Sequence, residues 1–174
     1  MTLTPTAQAP QLSLPLTGGG ATEDLALGTG ADGRFSLVVF FRGLHCPVCR
    51  GQLSEINRRV DELTEAGIGR VLAVSMETEG RSKELVDSWD LDTLRVAYDL
   101  TEESAREWGL FISTAISDGE PDRFNEPGMF VLDSDGSLLW SSVASMPFGR
   151  PALDDVMGGL KFVQKKGYPA RGAA

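Results

Sequence analysis

Ser36-Leu37-Val38-Val39-Phe40-Phe41-Arg42-Gly43-Leu44-His45-Cys46-Pro47-Val48-Cys49 is the most informative run in the chain. Apart from Ser36, its first six residues are aliphatic or aromatic, the pattern of a strand buried on both faces in a parallel or mixed sheet. A short loop follows, then two cysteines separated by two residues. Beyond them Leu53, Ile56, Val60 and Leu63 recur at helical spacing, with Glu55, Arg58, Arg59, Asp61 and Glu62 on the other face. This predicts an amphipathic helix that ends at Gly67. The cysteine pair thus sits where a central strand turns into a helix.

That placement matters chemically. Residues three apart share one side of a helical turn, so the two sulfurs can meet without unfolding it. Cys46, at the helix N-terminus, faces unpaired N–H groups and the positive end of the helix dipole, which favour thiolate over thiol. Cys49, one turn further in, is more shielded and suits a resolving role. Pro47 fits the first turn, which does not need its N–H. Arg42, His45 and Arg50 flank the pair, and the nearest acid along the chain is Glu55, so the local charge favours an anion at Cys46. His45 is the only histidine and is either a stabiliser or proton donor for a thiolate, or an exposed loop residue. Zinc wants four ligands; Cys46, Cys49 and the adjacent His45 exhaust the supply of thiolate and imidazole, so no metal site is expected. No cofactor is implied.

Outward from this motif, residues 70–76 read as a second strand, residues 79–89 as a helix and residues 94–98 as a further strand. Thr101 is placed to cap a helix that opens with Glu102 and Glu103. Residues 109–125 read as a long irregular loop. Asp133-Ser134-Asp135-Gly136 marks a hairpin turn between two strands. Leu153, Val156, Met157, Leu160 and Val163 outline a last amphipathic helix. Toward the N-terminus, short apolar pieces around Gly18-Gly19-Gly20 suggest a hairpin over residues 11–27. The order predicts an α/β fold: a mixed central sheet with helices on both faces and an N-terminal β-hairpin extension. Residues 11–166 form one domain in this reading, with a disordered tail over 1–10 and a C-terminal tail over 167–174.

The composition agrees with one compact domain. The 174 residues are 41% hydrophobic and 24% charged, enough for a sizeable core. Sixteen Lys and Arg against 25 Asp and Glu leave a net charge of −9, which disfavours nucleic acid and anionic membrane as partners. No apolar run approaches the ~20 residues of a membrane span. The first twenty residues resemble neither a secretory signal nor a transit peptide, so a cytoplasmic location is expected. With only two cysteines, the chain has no disulfide framework.

At this point the sequence resembles the thioredoxin-like superfamily, and within it the peroxiredoxin-like (alkyl hydroperoxide reductase/thiol-specific antioxidant) proteins. The matching stretches are residues 37–43 before Cys46, Arg50-Gly51-Gln52-Leu53 after Cys49, and Pro127-Gly128-Met129-Phe130-Val131-Leu132-Asp133. The resemblance implies a thioredoxin-like fold, Cys46 as the attacking cysteine and Cys49 as its resolving partner. It also likens Pro127 to the cis-proline beside the thioredoxin active site, which would leave the backbone of Glu126 free for an extended substrate. There are departures. Peroxiredoxins carry a proline and then a threonine or serine where this chain has Val39 and Gly43, and an arginine near the place of Pro127. Arg42 and Arg123 are the cations considered as replacements.

Three functions follow. The first is a thiol–disulfide oxidoreductase in which Cys46 attacks and Cys49 resolves. The second is a peroxiredoxin-type peroxidase whose Cys46 passes through sulfenic acid before the disulfide forms. The third is a non-catalytic module whose disulfide switches partner binding. The first two are oxidoreductases, and their partners are an oxidised protein, small thiol or peroxide substrate and a thiol reductant, with a homodimer left open.

Overall fold

The computed structural model describes residues 3–28 and 34–174. After a 3-10 turn at Thr22–Leu25 come β1 (Phe35–Phe40), α1 (Pro47–Arg58), α2 (Val60–Glu65), β2 (Ile68–Val74), α3 (Glu79–Ser88) and β3 (Arg95–Ala97). Then follow α4 (Glu102–Glu107), β4 (Ile112–Thr114), β5 (Arg123–Asn125), β6 (Gly128–Leu132), β7 (Leu138–Val143) and α5 (Leu153–Lys166).

The continuous apolar run puts β1 in the middle of a five-stranded sheet ordered β3-β2-β1-β6-β7, with all six of its residues buried. It pairs in parallel with β2 and antiparallel with β6, so the sheet is mixed. Successive side chains of a strand point to opposite faces, and the two faces have separate cores. Phe35, Leu37 and Val39, with Phe41 just beyond the strand, pack with Leu53 and Ile56 of α1, Leu85 of α3, and Val156 and Leu160 of α5. Val38 and Phe40 face Leu12, Leu14, Leu16 and Trp108. Phe40, Trp108 and Phe130 form a ring cluster with centroids 5.0–5.5 Å apart.

The expected α/β architecture with helices on both faces is present, as are the Thr101 cap, whose side chain accepts from Ser104 N, and the turn at Asp133–Gly136. Four expectations are corrected. The helix predicted to run from the cysteines to Gly67 breaks at Arg59, which leaves helical geometry although no Gly or Pro marks the break. Its side chain instead reaches Glu55, Glu62 and Asp154. The N-terminal hairpin is reduced to a tight reversal at Gly18–Gly20, with one antiparallel bridge at Pro15–Ala21 and bonds from Leu16 N to Gly20 O and Thr22 N to Leu14 O; Leu12, Leu14 and Leu16 enter the core, and Leu16 also bridges Ala97. The expected disordered tail is held over the described residues 3–10: Thr6 N and Ala9 N donate to Leu138 O and Gly136 O, and Leu138 N donates to Ala7 O. Met1 and Thr2 lie outside the described residues. Finally, residues 109–125 are not an irregular loop; β4 and β5 pair as a hairpin within them. No helix among the described residues is long and apolar enough to cross a membrane.

Candidate active site

The loop after β1 and the first turn of α1 bring the two cysteines together, both as free thiols. Cys46 is the N-cap of α1, in extended conformation, and its sulfur accepts the N–H of Cys49 at 3.2 Å. Pro47 occupies the first turn, as expected. The residues are 1% and 0% exposed, so both sulfurs lie beneath the surface.

The cation at the sulfurs is Arg150, which the sequence analysis did not single out. Its Nη2 lies 3.0 Å from Cys49 Sγ and 3.7 Å from Cys46 Sγ. Nη1 donates to Gln52 Oε1 at 2.6 Å and Nε to Pro147 O at 2.8 Å, which together fix the guanidinium plane. No carboxylate among the described residues lies within ion-pair distance of Arg150. A half-buried guanidinium without a carboxylate favours an anion at the sulfurs.

The two thiols are driven apart. The Cys46 thiol is lowered to about 6, first by a hydrogen bond from the Cys49 thiol, against the opposing effect of burial, and further by the Cys49 N–H, Arg150 and Arg42. Cys49 is pushed up, chiefly by burial and then by its bond to Cys46 and that neighbour's negative charge. A low-pKa nucleophile beside a protonated partner is the arrangement a dithiol reaction needs.

The other residues singled out from the sequence are placed differently. Arg42 reaches this site through its backbone, whose N–H donates to Cys49 Sγ at 3.4 Å. Its side chain lies over Phe124 and faces Glu126 at 3.3 Å and Glu120 at 3.6 Å. His45 packs edge-on against Phe124 at 4.8 Å, and neither ring nitrogen has a hydrogen-bond partner among the described residues. Burial first, and the Arg42 charge second, lower its pKa, so the ring is held neutral. Arg50 is exposed and donates to Ser88 O. Arg123 pairs with Glu102. Of the cations expected at the dithiol, Arg42 lowers the Cys46 thiol through its charge while pairing with Glu126 and Glu120, and Arg50 points away; His45 brings no charge, and Arg150 stands at the sulfurs themselves.

Pro127 follows a trans peptide, since no cis bond occurs among the described residues. The backbone of Glu126 is not free either: its N–H donates to Phe111 O and its carbonyl accepts from Asn125 Nδ2. The β4–β5 hairpin has taken the edge that a thioredoxin-like substrate would use.

Gly43 explains one departure from the peroxiredoxin pattern. It has φ +137°, and a Cβ there would run into the buried carboxylate of Glu77, whose Cδ would lie 2.9 Å away. That carboxylate is fixed by Leu44 N at 2.8 Å and by Arg81. A threonine or serine at this position has no room. A cavity of about 520 Å3 between β7 and α5 is lined by Trp140, Leu160, Phe162 and Tyr168 and by neither cysteine.

Comparisons with known proteins agree with this layout. Among solved structures, a cysteine-to-serine mutant of peroxiredoxin 6 of Arenicola marina superposes with a TM-score of 0.76 at 15% identity, over 93% of this chain and 74% of that one. A peroxiredoxin-like protein from Aquifex aeolicus gives 0.72 at 18% identity, over 94% and 89% of the two chains. Reduced Prx3 of Vibrio vulnificus in complex with hydrogen peroxide gives 0.74 at 15%, over 91% and 99%. No curated protein matches the sequence. The model of the AhpC/TSA family matches residues 5–141, a span that contains both cysteines and the whole sheet except the end of β7. The chain belongs to the AhpC/TSA family and is an oxidoreductase with a thiol-dependent redox role.

Proposed function

We propose that the chain is a thiol peroxidase in which Cys46 is the attacking thiolate, Cys49 the resolving thiol, a small hydroperoxide the oxidant and an external thiol the final reductant. The observation that carries this reading is the sulfur of Cys46. It accepts the Cys49 N–H at 3.2 Å and lies 3.7 Å from Arg150 Nη2, donors that favour its thiolate, yet the residue is only 1% exposed, which admits a small oxidant far more readily than a protein disulfide. The occupied backbone of Glu126 points the same way.

The chemistry balances as follows. The Cys46 thiolate attacks one peroxide oxygen, which keeps its hydrogen, the O–O bond breaks, and the other oxygen takes up a proton from solvent and leaves as water or alcohol. Cys46 is now a sulfenic acid, oxidised by two electrons. Cys49 attacks its sulfur, the S–O bond breaks, and the oxygen leaves as water once the Cys49 proton is transferred to it. The resulting Cys46–Cys49 disulfide is returned to two thiols by two equivalents of an external thiol.

Stopped-flow oxidation with hydrogen peroxide tests this. Wild type should lose both thiols in one turnover, Cys49→Ser should stop at a sulfenic acid trapped by dimedone, and Cys46→Ser should react no faster than a free thiol. Wild-type oxidation no faster than that of a free thiol rejects the peroxidase reading.

A second reading, a thiol–disulfide oxidoreductase, is favoured by the Cys-x-x-Cys spacing and by Val39 and Gly43, which lack the side chains that peroxiredoxins use on the peroxide. Reduction of a model protein disulfide by wild type but not by Cys46→Ser would support it. Equal activity in the two proteins would remove it.

A further inference from the structure

We propose that Arg150 also acts in the second half of the reaction: its guanidinium passes its charge from Cys46 to Cys49 and so activates the resolving thiol. This rests on the peroxidase reading above. The geometry carries it. Nη2 lies 3.0 Å from Cys49 Sγ but 3.7 Å from Cys46 Sγ, so the cation already stands nearer the resolving sulfur. A second donor, the Arg42 N–H, points at that same sulfur from 3.4 Å. Gln52 and Pro147 O hold the guanidinium in place, and no carboxylate among the described residues competes for it.

In the reduced protein the charge of Cys46 satisfies Arg150, and a second thiolate beside it is opposed by repulsion and by burial. Peroxide removes that obstacle. Once Cys46 is S–OH, the guanidinium has lost its anion, and among the described residues the group in reach that can replace it is the Cys49 sulfur. The proton that leaves Cys49 is taken up by the oxygen expelled from Cys46, the S–S bond forms as the S–O bond breaks, and water departs. The cation thus helps make the thiolate in each half in turn, without moving.

The test separates the two steps in single turnovers of reduced protein with hydrogen peroxide, quenched and weighed by mass spectrometry as thiol, sulfenic acid and disulfide. Attack on peroxide scales with peroxide concentration; resolution does not. In Arg150→Met at neutral pH the concentration-independent step should slow about tenfold or more, the change in thiolate fraction for one pKa unit, and dimedone should trap sulfenic acid that wild type does not accumulate. Raising the pH should restore the rate by about tenfold per unit in the variant only, as a thiolate-limited step requires; a merely structural defect would not recover. Gln52→Leu, which keeps the charge but loosens it, should show a smaller slowing with the same pH rescue, and Arg150→Lys should retain more of the resolution rate than Arg150→Met. Resolution at the wild-type rate in Arg150→Met, or slowing that pH does not relieve in both Arg150→Met and Gln52→Leu, overturns the inference while leaving the peroxidase reading intact. Wild type that forms neither sulfenic acid nor disulfide overturns both.

Discussion

Asn125 is fully buried, and its amide closes the gap between the end of β1 and the strands around it. Nδ2 donates to Phe41 O at 3.1 Å and to Glu126 O at 3.2 Å, while Oδ1 accepts Met76 N at 3.3 Å. Phe41 is directly followed by Arg42, whose N–H touches Cys49, so this amide fixes the backbone from which the site hangs. Asn125→Ala removes three hydrogen bonds and leaves two buried carbonyls and a part-buried N–H without their side-chain partner. At about 1 kcal/mol net for each bond, the expected loss is about 3 kcal/mol. With a urea dependence of roughly 2–3 kcal/mol per molar for a domain of this size, the unfolding midpoint should fall by about 1 M. Urea denaturation followed by tryptophan fluorescence measures it, with the slope checked to be unchanged. The isosteric Asn125→Asp should cost at least as much at neutral pH, because it turns a carboxylate toward two carbonyl oxygens. A loss below about 1 kcal/mol for Asn125→Ala, or an aspartate variant as stable as wild type, would refute the view that this amide organises the site.

Three further outcomes follow from the same interactions. Gly43→Thr, which restores the hydroxyl that peroxiredoxins carry, should lower both stability and the rate of oxidation by hydrogen peroxide, because φ +137° and Glu77 exclude a side chain there; a faster variant would contradict the steric argument. Glu126→Gln leaves Arg42 with Glu120 alone and should cost about 2 kcal/mol in urea unfolding, less than the ~3–5 kcal/mol of stripping a buried charge of its sole partner. Stability should also depend on Cys46: its folded pKa of about 6 lies below the unfolded ~8.5, so the stability its thiolate supplies is full above the unfolded value and is lost as the pH falls through the folded one. The gap in unfolding free energy between wild type and Cys46→Ser should therefore widen between those two values and stay flat outside them; a gap that narrows with rising pH would reverse the assignment.

The sheet was legible because β1 has no polar break except Ser36, and Leu53 and Ile56 sit on one helical face with the cysteines before them. The dithiol was legible for the same local reason: strand, short loop and Cys-x-x-Cys lie within a few residues of one another. The charge at the dithiol was not. Arg150 is 101 residues beyond Cys49, and only the topology, which carries the chain out along β7 and back toward α5, returns it to the start of α1. Its one local signal is Gly149-Arg150-Pro151 ahead of an amphipathic helix, where the proline favours extended backbone at the arginine but says nothing of its destination. The nearer Arg42 and Arg50 were attractive by proximity in sequence, yet the first meets Glu126 and Glu120, from a hairpin whose short strands carry little alternation, and the second faces solvent. Buried carboxylates such as Glu77 and Glu126 look like surface residues until their partners are known.

The chemistry of the dithiol turns on which sulfur is ionised. Titrating the ultraviolet absorbance of thiolate in reduced wild type, with limited iodoacetamide labelling to assign the step, should give a first transition at about 6 that maps to Cys46, and Cys49 should remain a thiol throughout that range. A first transition at or above the ordinary ~8.5 of a free cysteine, or labelling that falls first on Cys49, would contradict it.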